Sequence, residues 1–137
     1  IKADKNQHDI LGVCVLKGAE YLTDEVASLV NDKSCQRWHI NHNFHLGGYA
    51  KFSEQDCREL FAFSQDCGVP FEPVYSGKML LALLSLVKSG YFPKGHRIML
   101  MHTGGLQGIG GLIERNKIKQ SWLIEAQWHL PSAPPAQ

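Results

Sequence analysis

An apolar stretch runs directly into glycine at residues 99–111, MLMHTGGLQGIGG. Five of the eight residues from 104 to 111 are glycine, so this backbone is far less restricted than that of a strand or a helix. Such glycines occur where the chain turns tightly or where another group comes close to the main chain. The stretch therefore predicts either a tight strand-to-helix turn or a ligand whose polar edge meets Thr103.

A bound phosphate is the less favoured ligand for this loop. The glycines fit neither GxxxxGK[ST] nor a regular GxGxxG, and no lysine follows at the position that a phosphate-binding loop requires. The sequence therefore disfavours a nucleotide-binding domain.

Segments with strand character and segments with helix character alternate along the chain. The run ILGVCVL (residues 10–16) and the run RIMLMHT (97–103) are typical of strands buried on both faces. A shorter strand and a glycine loop are predicted within residues 37–49. Helices are predicted at 19–32, 53–68 (with Ser53 as N-cap and Gly68 as the stop), 78–90 and from about 104.

This alternation indicates an α/β fold with a mostly parallel sheet and helices on both faces. Ligands of such sheets bind at the carboxyl ends of the strands. HTGG (residues 102–105) follows the predicted strand 97–103, so it is expected at a binding edge.

Length and composition suit one soluble domain. The chain has 137 residues and a net charge of +1, which gives no electrostatic reason to expect nucleic acid or a membrane surface as a partner. The first residues are polar and lack both an initiator Met and a signal peptide, so a processed, truncated or cleaved chain is expected. The four cysteines form no CxxC motif, which favours a reducing cytoplasm, and Cys14 is expected in the core.

Three histidines occur at intervals of three in HINHNFH: His39, His42 and His45. No carboxylate or thiolate accompanies them at the spacing of a zinc site, so we expect no structural metal there.

Two tyrosines are placed on predicted loops. Tyr49 follows two glycines, and Tyr75 lies in EPVYSGK, just before a predicted helix. A tyrosine at such a place offers a flat face for stacking and a hydroxyl for proton transfer, or it is simply a half-buried packing residue.

The blocks PVYSGK (73–78), GYFPKG (90–95) and HTGG (102–105), with an apolar helix between the first two, resemble one known family. They are similar to the carboxy-terminal part of the pyridoxal-phosphate enzymes of the 1-aminocyclopropane-1-carboxylate deaminase and D-cysteine desulfhydrase family, which have the tryptophan-synthase-β-like fold, fold type II. GGYAKFSEQD (47–56) resembles the upstream glycine-tyrosine loop of that family. Glu72 stands where the family usually has Asp.

The resemblance implies a cofactor, pyridoxal 5'-phosphate, and a role for each matched residue. Thr103 would hydrogen-bond the pyridine nitrogen, and Gly104 would let the main chain pass close to the ring edge. Tyr75 would stack on the ring and act in proton transfer, and Tyr49 would line the substrate pocket. A neutral threonine at the nitrogen leaves the ring a weaker electron sink, which suits elimination better than transamination.

The resemblance also implies that parts of the enzyme lie outside this chain. The Schiff-base lysine and the loop that holds the cofactor phosphate lie upstream in the family, and Lys78 does not match that lysine. Residues 1–112 are therefore expected to be the second part of the large, cofactor-binding domain, and residues 113–137 an extension with an irregular, proline-rich end. The missing amino-terminal part is the expected partner, and the full-length enzyme is expected to be a homodimer.

The expected activity is that of a deaminase, classed as a lyase or hydrolase, which releases ammonia and a 2-oxo acid from a small amino acid. Ser76 replaces the glutamate common in the deaminase branch, and Thr103 replaces the usual leucine, so the sequence leans toward the D-cysteine desulfhydrase branch. The alternative is a non-catalytic fragment or a module that pairs with a separate amino-terminal chain. This chain by itself is expected to bind the cofactor weakly or not at all and to be inactive.

Overall fold

The computed structural model describes residues 8–30 and 37–125. Two short strands and five helices follow one another in this part of the chain, with a helix between the strands. They are β1 (Ile10–Val13), α1 (Leu22–Leu29), β2 (Trp38–Asn41), α2 (Glu54–Cys67), α3 (Ser76–Lys88), α4 (Gly108–Glu114) and α5 (Gln120–Glu125).

The two strands pair in parallel, with Ile10 opposite Trp38 and Val13 opposite Asn41. Parallel neighbours need a crossover, and α1 lies in that connection. The predicted α/β class with parallel pairing is thereby confirmed. Cys14, directly after β1, is buried as predicted.

The prediction that β1 is buried on both faces is wrong. Ile10 is exposed, the other strand residues are only half-buried, and the strand ends at Val13 rather than at residue 16. In the described part of the chain the sheet has two strands, and so small a sheet leaves much of its surface uncovered.

The ends of α2 are set by local chemistry. The Ser53 hydroxyl accepts a hydrogen bond from the Asp56 N–H, and the Asp56 carboxylate accepts one from the Ser53 N–H, which completes a capping box. Gly68 ends the helix with a φ of +70°, in the left-handed conformation that favours glycine. Both predicted ends of this helix are therefore confirmed.

One hydrophobic core joins α2, α3, α4, α5 and the loop before α3. Leu60 and Phe61 of α2 lie at its centre and are almost fully buried, as the helical spacing predicted. The remaining buried members are Cys57, Phe71, Val74, Leu80, Ile109, Leu112, Ile118, Trp122 and Leu123.

The predicted strand at residues 97–103 does not form. The segment pairs with neither β1 nor β2, and Met99 and Met101 are 89% and 70% exposed. A strand exists only where a neighbour accepts its backbone hydrogen bonds, and the described residues provide none beside this segment.

The described part of the predicted extension packs on the same core as the rest. Helix α4 runs through residue 112, and Trp122 and Leu123 of α5 are buried in the core. The proline-rich end, residues 131–137, lies outside the described residues, so the division at residue 112 stays a prediction. No helix in the described ranges is long and apolar enough to span a bilayer.

Candidate functional site at the start of helix α3

A buried carboxylate organises the loop that leads into α3. Glu72 is only 2% exposed. Its Oε1 accepts hydrogen bonds from the N–H groups of Tyr75 and Ser76, and its Oε2 accepts one from Val74, each at 2.7 Å. The first N–H groups of a helix have no partner within the helix and favour a negative charge, so this carboxylate caps α3.

The next residues fit tightly around this cap. The Ser76 hydroxyl accepts the Glu72 N–H at 3.0 Å. A Cβ at Gly77 would stand 2.6 Å from the Glu72 carbonyl oxygen and 2.7 Å from Cδ2 of Leu60, so only glycine fits there. The YSGK sequence is therefore explained largely by the packing of α3 against the Glu72 loop and α2.

The two candidate catalytic tyrosines form a pair beside this cap. The rings of Tyr49 and Tyr75 lie edge to face, with their centroids 6.0 Å apart. They are 61% and 48% exposed, so a ligand can reach both. A hydrogen bond with Tyr49 raises the pKa of the Tyr75 hydroxyl, with smaller contributions from burial and from the Glu72 charge.

His102 fixes the start of the glycine loop. Its Nδ1 accepts a hydrogen bond from the Gly104 N–H at 3.0 Å, and its Nε2 lies 2.8 Å from the carbonyl oxygen of Pro70. Because Nδ1 accepts, Nε2 carries the proton and donates it to that carbonyl, which makes His102 a neutral tautomer in this arrangement. The ring also packs on Phe71, with centroids 5.0 Å apart.

Gly105 brings the glycine loop against the same carboxylate. A Cβ at this position would stand 2.9 Å from Cγ and 3.2 Å from Oε1 of Glu72, and the residue has a φ of +100°. Glycine is thus required here because the Glu72 side chain lies very close to the main chain. Tyr75 and the glycine loop are therefore joined through Glu72.

The two candidate cofactor-binding residues of this loop face open space. Thr103 is exposed. Gly104 has a φ of +94°, and no atom of the described residues lies within 4 Å of the position that its Cβ would take. An exposed hydroxyl beside a backbone that no described side chain covers fits the edge of a flat, polar ring. The cofactor contacts of Thr103, Gly104 and Tyr75 stay predictions.

Sequence reasoning missed the two charged residues that hold this site together, Glu72 and Lys78. Glu72 was noted only as a replacement for Asp, and Lys78 only as unsuited to anchor the cofactor. The sequence signal for Glu72 was weak, since capping patterns place Ser, Thr, Asp or Asn directly before the helix, whereas Glu72 lies four residues before Ser76. No comparable signal marks Lys78, because its partners lie 30 or more residues away.

The three histidines have three different surroundings. His39 Nε2 lies 2.9 Å from the Tyr91 hydroxyl, His42 Nε2 lies 3.1 Å from the Thr23 hydroxyl, and His45 Nδ1 accepts the Gly47 N–H. Within the described ranges no three His, Cys, Asp or Glu side chains are grouped to hold a metal ion. The absence of a metal site at these histidines stays a prediction.

Comparison with known proteins points to one kind of relative. A 44-residue segment, 32% of the chain, is 43% identical to a Rhizobium rhizogenes protein named 1-aminocyclopropane-1-carboxylate deaminase, of which it covers 13%. An 89-residue segment, 65% of the chain, is 26% identical to a Methylobacterium nodulans protein of the same name, of which it covers 26%. A longer alignment of 108 positions, which covers 73% of this chain and 32% of the relative, is 28% identical to a Pyrococcus abyssi protein that provisionally carries that name.

The chain thus spans less than a third of the length of these curated relatives. No family model matches the chain. No solved structure matches it either.

Proposed function

Because the chain belongs to the 1-aminocyclopropane-1-carboxylate deaminase family, we propose that it forms part of a pyridoxal-phosphate-dependent deaminase acting on a small amino acid. The observation that carries this proposal is the exposed Tyr49–Tyr75 pair at the capped start of α3, joined through Glu72 to the glycine loop that bears Thr103. The reaction consumes water and releases ammonia and a 2-oxo acid, and with D-cysteine it also releases hydrogen sulfide as the leaving group. Its substrate is D-cysteine or aminocyclopropane carboxylate.

The described residues supply the ring side of such a site. When bound, the cofactor supplies an electron sink that stabilises negative charge next to the amino group of the substrate. The Thr103 hydroxyl would donate a hydrogen bond to the ring nitrogen, and Gly104 would leave the ring edge unobstructed. The exposed face of Tyr75 would stack on the ring, and its hydroxyl, whose pKa is raised by the neighbouring Tyr49, would hold a proton near the substrate.

A further part of the protein supplies the covalent anchor and the phosphate site. Lys78 is unsuited to anchor the cofactor, because its ammonium group is buried and hydrogen-bonded to main-chain carbonyl groups. We place the amino-terminal part of the enzyme next to residues 97–103, where exposed Ile98, Met99 and Met101 would be covered by a neighbouring strand. The complete protein is proposed to be a homodimer.

A cytoplasmic location is part of the same proposal. Cys14, Cys57 and Cys67 are free thiols, and free thiols persist in a reducing compartment.

A chimeric enzyme tests the proposal. The 108-residue segment of the Pyrococcus abyssi relative that matches this chain is replaced by the corresponding part of this chain. Cofactor absorbance and 2-oxo acid release are then measured with aminocyclopropane carboxylate and with D-cysteine. We expect release from at least one substrate, lower turnover with retained cofactor in Tyr75→Phe, and weaker cofactor retention in Thr103→Val.

The chimera also separates the proposed enzyme from its alternative. A folded chimera that holds the cofactor but releases no 2-oxo acid from either substrate would favour a non-catalytic module, whose exposed segment 97–103 serves pairing alone. Full turnover in Tyr75→Phe would reduce Tyr75 to a packing residue.

A further inference from the structure

Lys78 lies in the first turn of α3 and is completely buried. A buried ammonium group is costly unless its hydrogens are all paired. Its Nζ donates to the carbonyl oxygens of Gly48 at 2.6 Å and His45 at 2.7 Å, and it lies 3.4 Å from that of Val15. The three N–H donors of the ammonium thus have three main-chain acceptors.

Two of these acceptors belong to the loop that carries Tyr49. That loop has an unfavourable backbone at two non-glycine residues, since Leu46 and Ala50 have positive φ, at +52° and +50°. Such a conformation persists only where the surroundings hold it. Within the loop the Gly47 and Gly48 N–H groups both bond to His45, and Lys78 attaches this unit to α3.

We propose that Lys78 is a positioning residue that holds Tyr49 against Tyr75. It lies three residues after Tyr75, in the same turn of the chain, and its ammonium group binds the carbonyl directly before Tyr49. One side chain therefore fixes both backbones from which the ring pair extends. The pairing itself is independent of the proposed function, and only its consequence for turnover rests on that function.

The surroundings support a structural ammonium group rather than a reactive amine. Burial lowers the pKa of Lys78, while the charges of Glu72 and Asp56 act in the opposite direction. A neutral amine would have two N–H donors for three carbonyl groups, so the observed contacts are those of the charged form.

The test compares two lysines of the same helix by NMR in the 137-residue chain. Lys78→Met removes the buried ammonium group, and Lys88→Met removes an exposed one that pairs with Glu59 at 3.2 Å. We expect Lys78→Met to keep its helical circular dichroism, to lose the contact between the two tyrosine rings, and to shift the pKa of Tyr75 down toward its ordinary value. Lys88→Met should change neither ring contact nor titration.

A measurement on the unaltered chain tests the proposal without relying on the folding of Lys78→Met. With ¹⁵N-labelled lysine, the Lys78 ammonium hydrogens should exchange more slowly than those of Lys88 and show contacts to the backbone of Gly48 and Tyr49. Fast exchange without those contacts, or an intact ring pair in folded Lys78→Met, would overturn the proposal. These readouts need neither cofactor nor turnover. They therefore test the role of Lys78 independently of whether the proposed function is correct.

In the chimeric enzyme the same substitution reports on function. Lys78→Met should lower kcat while the cofactor content stays unchanged, because the lysine acts through the tyrosines rather than on the cofactor. An unchanged kcat alongside a lost ring contact would mean that the pair has no part in turnover.

Discussion

Gly105 lies so close to Glu72 that a Cβ on the glycine would stand 2.9 Å from Cγ of the glutamate. The contact joins two parts of the chain that are more than 30 residues apart, the cap of α3 and the loop before α4. Gly104 next to it has a similar φ, but no atom of the described part of the chain would lie within 4 Å of its Cβ. A comparison of the two adjacent glycines, Gly104 and Gly105, therefore separates the effect of backbone conformation from the effect of close packing.

We predict that Gly105→Ala destabilises the protein more than Gly104→Ala does. Both substitutions place a side chain at positive φ, at a cost of roughly 1–3 kcal/mol each. Gly105→Ala also forces a methyl group against Glu72, which adds about 1–3 kcal/mol. Urea unfolding followed by circular dichroism measures both free energies of unfolding.

The Glu72→Ala background provides the control, because it removes the atoms that the new methyl group would meet. There the extra loss caused by Gly105→Ala should largely disappear. Equal losses for the two glycine substitutions in the unaltered background would show that the contact is not tight in solution.

Glu72→Gln is expected to lower the free energy of unfolding by about 2–4 kcal/mol, since three hydrogen bonds from N–H groups to a charged carboxylate are weakened. The amide also turns an N–H donor toward main-chain donors. Glu59→Gln is the matched control, because its partly exposed carboxylate pairs with Lys88 at the surface, and the substitution should change stability by about 0–1 kcal/mol. Similar losses in the two variants would contradict the capping role.

Features decided by neighbouring residues were predictable from the sequence. Ser53 and Gly68 define the ends of α2 through contacts within a few residues, and both ends were predicted correctly. The fate of segment 97–103 was not predictable, because strand formation depends on a partner strand rather than on its own apolar residues.

The candidate site likewise combines features that nearby residues predict with contacts that depend on distant residues. The positions of Tyr49 and Tyr75 on loops followed from adjacent glycines and proline, and the structure brings their rings together. The contact between Gly105 and Glu72 and the carbonyl cluster around Lys78 depend on distant residues. A pattern of residue types does not indicate which distant loop a buried charge will hold.

Cys57 is predicted to be inert in the folded protein. Burial, followed by the nearby charges of Asp56 and Glu54, raises its pKa from an ordinary value of 9.0 to about 12. At about pH 8 its thiolate fraction is then on the order of 1 in 10,000. Alkylation followed by peptide mass spectrometry should modify exposed Cys67 first and Cys57 only after unfolding in urea.

The same shift predicts how this thiol affects stability at high pH. The folded state keeps the Cys57 proton to a higher pH than the unfolded state does. Its contribution is therefore fully present below about pH 9 and is lost as the pH rises toward 12. Rapid modification of Cys57 under native conditions would show that this part of the core opens readily.

Tyr49→Phe is expected to lower the pKa of Tyr75 toward its ordinary value of 10.0, because the hydrogen bond with Tyr49 is the largest cause of the upward shift. A raised pKa means that the folded state holds the Tyr75 proton more tightly than the unfolded state. This contribution to stability is present below pH 10 and is lost as the pH rises through the higher pKa of the folded state. In Tyr49→Phe the pKa of Tyr75 is closer to its ordinary value, so less stability should be lost over this pH range. The titration is followed by NMR of ¹³C-labelled tyrosine, with Tyr21→Phe as a control at an exposed tyrosine remote in sequence from the pair. If Tyr75 titrates identically in Tyr49→Phe and in Tyr21→Phe, the two hydroxyl groups are not hydrogen-bonded in solution, and Tyr49 acts on Tyr75 only through ring packing.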